Sequence, residues 1–330
     1  MSSGILVRAF KRAARSAFLW PEQAQALLAG GRELTELHGV GPFLARQVRE
    51  WIENPPPADR PVPAIRRDFL TMADARVTLA KNPKWAAMLR GDLQMHTRWS
   101  DGSASILEMA NAAKDRGYEY IAITDHSKGL KIAGGIDEKA LVRQGAEIAK
   151  TNRILRGSGV TVLRSIEMNL NPRGEGDMNS QALRRLDLVL GAFHSSLRTK
   201  EDQTDRYLAA LRNPEIQILG HPRGRIYNFR LGLKADWARV FAEAAKLNKA
   251  VEIDSYPDRQ DLNLKLLKVA RKEGTRISLG TDAHHADQLG FIELGLAAAV
   301  EARISADRIL NFMDLASLRE WVEKVRSRRR

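Results

Sequence analysis

Seven short aliphatic runs, each trailed by a helical pattern, occupy the chain from Gly91 onward, and this alternation limits the fold more than any other feature. The runs are DLQMHT (92–97), YIAITDH (120–126), VTVLRSIE (160–167), LDLVLGAFH (186–194), IQILGHP (216–222), AVEIDS (250–255) and RISLGTDAH (276–284). Between them lie amphipathic segments such as SILEMANAAKDRG, where Gly117 is placed to cap the helix, and WARVFAEAAKLN. Strand alternating with helix seven times predicts a parallel α/β fold closed as a barrel. An open doubly wound sheet is the alternative, but no GxGxxG or P-loop sequence opens any of these helices.

The first 90 residues do not follow this pattern. ENPPPADRPVP places five prolines between Pro55 and Pro63, which favours extended polyproline II geometry and reads as a stiff spacer. The expected division is a small all-helical domain over 1–54, the spacer with connecting helices over 55–90 (helical at 65–80 and 84–89), and the α/β domain over 91–330. The opening MSSGILVRAFKRAARSAFLW interrupts its apolar run with Arg8, Lys11, Arg12 and Arg15; this suits a basic amphipathic first helix rather than a secretory signal. No run approaches the apolar length of a membrane span. Cysteine is absent, excluding a disulfide scaffold, a thiolate zinc site and a cysteine nucleophile, and fitting a reducing cytoplasm. Fifty-three Lys and Arg against 40 Asp and Glu give a formal charge of +13, so a polyanionic partner is expected. Much of the excess sits at the two ends, including the RSRRR tail.

Within the helical region, LTELHGVGPFLARQVREWI (34–52) resembles the helix-hairpin-helix motif. Leu34 and Leu37 precede Gly39-Val40-Gly41, and Leu44, Ala45, Val48 and Ile52 follow at helical spacing. Glycines permit a sharp turn that brings amide N–H groups close to an anion, and the following helix N-terminus favours phosphate. The resemblance implies DNA-backbone binding without sequence preference through Gly39, Val40 and Gly41, with Arg46 and Arg49 as further phosphate contacts. The alternative is a helical hairpin that only packs. Leu34, Leu37 and Val48 are core residues and His38 is structural in either reading.

Six of the seven histidines fall at or just past strand C-termini: His96, His126, His194, His221, His284 and His285, with Asp101, Glu167 and Asp282 beside them. In a parallel barrel all strand C-termini open on one face. A lone histidine after a strand is usually a hydrogen-bonded core residue. Several arriving on one face with carboxylates form a donor set for zinc, manganese or iron.

The segments GDLQMHTRWSDG, ITDH, SIEMN, GAFHS, GHPRGR and LGTDAHH, in this order, resemble the PHP (polymerase and histidinol phosphatase) family, and in particular the PHP domain of bacterial family X DNA polymerases. No polymerase portion is expected, since residues 1–90 are too few for a nucleotidyltransferase palm. The resemblance implies a distorted (βα)7 TIM-like barrel with up to three divalent ions: manganese or zinc, with iron as a further candidate. The H-x-H residues, Glu167 and Asp282 would hold the first; Glu167, His194 and His221 the second; Asp101, His126 and His284 the third. The first H-x-H position is Gln94, leaving His96 as the one imidazole of the pair; a Gln carbonyl oxygen ligates weakly and biases the site toward manganese. His285 stands outside the ligand set.

Clustered dications on a phosphate ester supply a hydroxide nucleophile at neutral pH and screen developing charge. Arg98, Lys128, Arg223, Arg225 and Arg259 are the candidate phosphate-binding cations, with Arg225 expected to act on the reacting group together with Asp282 and His284. Three readings follow. The first is a cytoplasmic, nucleoid-associated DNA nuclease (a 3′→5′ exonuclease, 3′-end-processing or abasic-site enzyme), acting beside a separate polymerase or repair proteins. The second is a histidinol-phosphatase-like phosphomonoesterase, and the third a catalytically weak DNA-binding protein.

Overall fold

The computed structural model describes residues 3–55 and 61–327. Part of the expected proline spacer, 56–60, lies outside the described residues, and so does the end of the basic tail at 328–330. The helical region comprises α1 (Ser3–Ala17), α2 (Ala24–Ala29) and α3 (Pro42–Glu53), followed by α4 (Met72–Ala80) and α5 (Pro83–Met88). The strands are β1 (Gly91–Asp92), β2 (Tyr120–Ile123), β3 (Thr161–Arg164), β4 (Glu167–Asn169), β5 (Leu190–Ala192), β6 (Ile218–Leu219), β7 (Ala250–Asp254) and β8 (Arg276–Gly280). Interleaved with them run α6 (Ile106–Asp115), α7 (Glu138–Ile154), α8 (Ser180–Leu183), α9 (Thr204–Arg212), α10 (Trp237–Lys246) and α11 (Leu264–Lys272). The last two helices are α12 (Ile292–Glu301) and α13 (Leu315–Ser327).

All strand pairs are parallel and neighbours in sequence, β1-β2-β3 and then β4 through β8. The ring closes where Leu93 N–H donates to Leu279 O (3.3 Å), His96 N–H to Ala283 O (2.7 Å) and Asp282 N–H to Gln94 O (3.1 Å). The expected barrel is therefore present. One run, VTVLRSIE, is split at Ser165-Ile166 into β3 and β4, and the ladder resumes with a His126–Glu167 bridge. Each break or short strand is local, so seven runs still make one ring. Helix starts are capped by their own side chains: Ser105 and Glu108 form a reciprocal capping box on α6, and Asp137, Asp236 and Asn263 cap α7, α10 and α11. Gly117, at φ +73°, ends α6 as expected. Among the described residues no helix is long and apolar enough to cross a membrane.

Two expectations for the first 90 residues change. The segment before the glycine hairpin is a single 3-10 turn, Leu34–Glu36, because Gly30 and Gly31 (φ +70°) end α2 just upstream. The hairpin still packs as expected around Leu27, Leu34, Leu37, Val40 and Leu44, with Val48 at its edge. Gly39 alone needs left-handed backbone (φ +80°), and a Cβ there would lie 2.8 Å from Ser16 Oγ. The helix expected over 65–80 begins only at Met72, where Thr71 and Asp74 form a capping box. Upstream, the backbone is taken by barrel side chains. Gln260 donates to Leu70 O and accepts from Leu70 N–H, both at 2.7 Å, and Arg225 donates to Arg67 O and Asp68 O. Helices α4 and α5 lie on the barrel, with Met72 and Ala75 against Leu294 and Ala297, and Trp85 edge-on to Phe312.

The helical module meets the barrel at an aromatic seam. Phe18, just after α1, Phe69 of the linker and Tyr227 of the loop after β6 form mutual edge-to-face contacts, the nearest at 4.8 Å. Phe18 O also accepts from Met72 N–H, and Asn228 N–H donates to Ile65 O.

Candidate metal centre

The strand ends deliver the expected histidines to one point. Glu167, the first residue of β4 and fully buried, lies at its centre. Its Oε1 accepts from His221 Nε2 (2.7 Å) and lies 2.8 Å from His194 Nε2; its Oε2 faces His96 Nε2 (3.3 Å), His126 Nδ1 (3.5 Å) and the Gln94 amide (3.1 Å). His96 is stacked between His126 and His284, at 4.3 and 4.5 Å, and donates to Asp282 Oδ1 at 2.9 Å. Asp101 completes the far side, 3.6 Å from His126 Nε2 and 3.4 Å from His284 Nε2. Asp282 holds its side chain inward on left-handed backbone (φ +53°), a strained conformation of the kind that collects at functional sites.

The electrostatics follow from burial against mutual attraction. Burial alone would raise Glu167, but the imidazoles of His126, His221 and His194 outweigh it and hold the carboxyl well below its usual range. Burial would lower His221, yet Glu167 lifts it to about 10. His96 is likewise raised against burial by Asp282 and Glu167, whereas burial wins at His126 and takes it to about 3. Asp101 is drawn down to about 2 against its burial, by His284 and His126 first.

Three overlapping donor groups emerge: His96, Asp101, His126 and His284; His126, Glu167 and His194; and His96, Glu167 and Asp282, each with donor atoms within 4.8 Å of one another. Two imidazoles provide the test of fit. His194 Nδ1–H donates to Asn169 Oδ1 (3.1 Å) and His284 Nδ1–H to Asp282 O (2.7 Å). With Nδ1 so engaged, each ring turns its Nε2 toward a carboxylate oxygen, which leaves a nitrogen and an oxygen donor converging where a cation would sit between them. Gln94 Oε1 and His126 Nδ1 are also buried without a hydrogen-bond partner. The donor set is nitrogen and oxygen only, which suits divalent manganese, iron or zinc.

The cations fare differently. Arg225 is not at the cluster: it is buried, its guanidinium is bonded to the linker carbonyls and stacked 3.7 Å from the Phe69 ring centroid, so its expected action on the reacting group is reassigned to holding the linker. Arg98 pairs with Glu108 (3.1 Å) and Lys128 with Glu138 (2.7 Å), each satisfied away from the centre. Arg223 donates to Leu231 O in the loop beyond His221. Arg259 reaches the cluster, 2.8 Å from Asp282 Oδ2. His285 caps the turn after β8 and pairs with Asp287. In the hairpin, Arg46 is exposed and Arg49 lies 3.6 Å from Glu33.

Several residues that position the site were not singled out from the sequence. Asp125 accepts from Thr97 N–H, Thr97 Oγ1, Ser100 Oγ and Gln144 Nε2, fixing the loop between His96 and Asp101. Asp92 accepts from Thr281 Oγ1 and from the amides of Gln94 and Thr281, tying the first strand to the last. Glu252 accepts from His221 N–H, and Asp254 lies 3.9 Å from Arg259; burial raises both carboxyls well above their usual range. The available signal was an acidic residue inside an otherwise aliphatic run, which is buried only when it is partnered.

A parallel barrel that gathers this donor set at its strand C-termini defines a metal-dependent phosphoesterase. The chain belongs to the PHP domain family, whose model matches residues 92–274. It is similar to the DNA polymerase/3′-5′ exonuclease PolX of Bacillus subtilis, 34% identical over 237 residues, covering 72% of this chain and 41% of that protein. The chain thus spans about two fifths of that relative's length. A probable phosphatase of Photobacterium profundum is 33% identical over 213 residues, 61% of this chain and 81% of the relative. A solved structure, the histidinol phosphate phosphatase of Lactococcus lactis complexed with zinc, L-histidinol and phosphate, superposes with a TM-score of 0.48 at 18% identity, covering 64% of this chain and 93% of that one.

Proposed function

We propose that the protein is a metal-dependent nuclease that processes DNA, as a 3′→5′ exonuclease or an enzyme of 3′ ends and abasic sites, with the N-terminal hairpin gripping the phosphate backbone. The observation that carries this reading is the seam of Phe18, Phe69 and Tyr227, which fastens the hairpin-bearing module to the loop following His221. A small phosphate ester gives such an attachment no role. A backbone-binding element held beside a phosphodiester-cleaving centre gives it one.

In this reading the Gln94 carbonyl, His96, Glu167 and Asp282 hold one divalent ion, Glu167 with His194 and His221 a second, and Asp101, His126 and His284 a third. When bound, the ions lower the pKa of coordinated water toward neutrality and neutralise charge on the phosphoryl oxygens. Asn169 and the Asp282 carbonyl keep the His194 and His284 rings oriented through their Nδ1 protons. Arg259 braces Asp282 and carries positive charge toward the reacting phosphate, the role expected earlier of Arg225. The oxygen donor at Gln94 favours manganese over zinc at that position.

The test is a gel assay on 5′-labelled single-stranded and gapped DNA with metal-stripped protein, manganese, an EDTA control and a His194→Ala variant. A manganese-dependent ladder shortening from the 3′ end, lost in the variant, is the expected result. Intact DNA under all conditions refutes it. A phosphomonoesterase is the second reading, favoured by the alignment that covers 81% of the Photobacterium probable phosphatase; it requires turnover of small phosphate esters with DNA left whole.

A further inference from the structure

The loop from Arg223 to Leu231, between β6 and α10, is a small hairpin closed by Ile226 and Arg230, whose backbones exchange hydrogen bonds at 2.9 Å. Phe229 stands at its tip and leaves 57% of its surface exposed. Arg198 lies over one face of its ring, 4.8 Å from the centroid, and Arg230 lies 6.0 Å away. An exposed phenyl ring with cations on its flank is costly to leave in water and gains from a planar, anionic partner.

The same loop forms one wall of a cleft of about 230 Å³, and the linker forms the other. Arg67, Arg223, Arg225, Arg230 and Lys265 line it against one carboxylate, Asp68. Among the described residues none of the four arginines has a carboxylate oxygen within 4 Å, and Lys265 is 3.8 Å from Asp68. Arg223 Nε is buried without a hydrogen-bond partner. Burial lowers Arg230, and the neighbouring positive charges of Arg259 and Arg198 lower it further. Arg230 thus joins the cleft to Phe229, lining the one and lying 6.0 Å from the ring of the other. Aromatic surface and a cleft whose lining cations outnumber its carboxylates form one continuous track.

We propose that this track is a holding platform for an unpaired strand, in which one base stacks on the open face of Phe229 and the adjoining phosphodiester occupies the arginine-lined cleft. This rests on the nuclease reading and names its substrate more narrowly, as single-stranded or frayed ends. In duplex DNA the base faces are stacked on one another and unavailable to Phe229, so the platform discriminates by strand state rather than by sequence.

The test measures anisotropy of fluorescein-labelled dT12 on the full chain, with EDTA to stop turnover. It is repeated with an abasic oligomer of the same length that keeps every phosphate and lacks the bases. Phe229→Ala should weaken dT12 binding by about five-fold or more, the effect of losing one base–aromatic stack, and Phe229→Trp should restore it. The abasic oligomer should bind the wild type and Phe229→Ala alike. Arg67→Gln, in the cleft wall, should flatten the dependence of log affinity on log salt by about 0.7, the loss of one phosphate contact to a single strand. If Phe229→Ala binds dT12 as the wild type does, or loses the abasic oligomer equally, while manganese-dependent trimming of DNA persists, the platform is wrong and the nuclease reading stands. If the wild type binds neither oligomer and hydrolyses only small phosphate esters, the nuclease reading falls and the platform with it.

Discussion

Glu167→Gln removes one charge and keeps the shape of the group at the middle of the cluster, and the structure fixes what that should do to the metal-free protein. Glu167 Oε1 accepts from His221 at 2.7 Å, and His221 is lifted from an ordinary 6.5 to about 10. At about 1.36 kcal/mol for each tenfold change in proton affinity, that corresponds to roughly 5 kcal/mol in the fully protonated pair. Below pH ~6.5 the imidazole is protonated in both the folded and unfolded chains, and the stabilisation is complete. As pH rises the unfolded chain releases its proton first, and the contribution fades until it is gone near pH 10. On the acid side Glu167 is held well below 4.5, so its contribution is present above pH ~4.5 and disappears as the folded carboxylate is protonated. With an unfolding entropy of about 2.1 cal/mol/K per residue, 5 kcal/mol over the 330 residues lowers Tm by ~7 °C. Thermal melts in EDTA should therefore show the variant ~7 °C below the wild type at pH 6, with the gap closing toward pH 10. A gap that stays constant across this range, or no gap at pH 6, refutes the shared-proton account.

Gln94→His should strengthen the manganese and zinc complexes by about tenfold and shift preference toward zinc, since an imidazole nitrogen replaces an amide oxygen; competition titration against a chelating dye reads this directly. Asp125→Asn should lower metal affinity by about 10- to 100-fold with the ligands intact, because it loosens the loop that places His96 and Asp101; the same titration, with circular dichroism to confirm the fold, checks it. Tyr227→Ala should weaken the seam by ~1–3 kcal/mol and expose residues 61–71, ahead of α4, to limited proteolysis at a protease level that leaves those residues uncut in the wild type.

The side-chain cluster was legible because it depends on two local signals, the strand period and the residues just past each run, and a parallel barrel turns those positions to one face. His96, His126, Glu167, His194, His221 and Asp282 met there for that reason. The cations were not legible. An arginine in a loop can reach several ångströms in any direction, and its direction is set by contacts remote in sequence. Arg225 is turned away by Arg67 and Asp68, more than 150 positions upstream, while Arg259 turns inward to Asp282. The linker misled for the same reason. Its composition allows a helix from Ile65, but after a single 3-10 turn at Ala64–Arg66 the backbone is held out of helix, with Asp68 at φ +60° and Leu70 and Arg67 bonded by Gln260 and Arg225, up to the Thr71 cap.

The seam of Phe18, Phe69 and Tyr227 also has a thermodynamic meaning. It makes the end of the first helix, the linker and the loop behind His221 one packed unit, so a shift in any of the three changes the contact surface of the other two. A ligand on the helical module that favours one arrangement of this unit changes the affinity of a ligand on the barrel loop by some factor. By reciprocity, the barrel ligand changes the affinity of the first by the same factor. Occupancy of the two surfaces is then a joint property of the chain, and its sign is set by whether both ligands prefer the same packing of three rings.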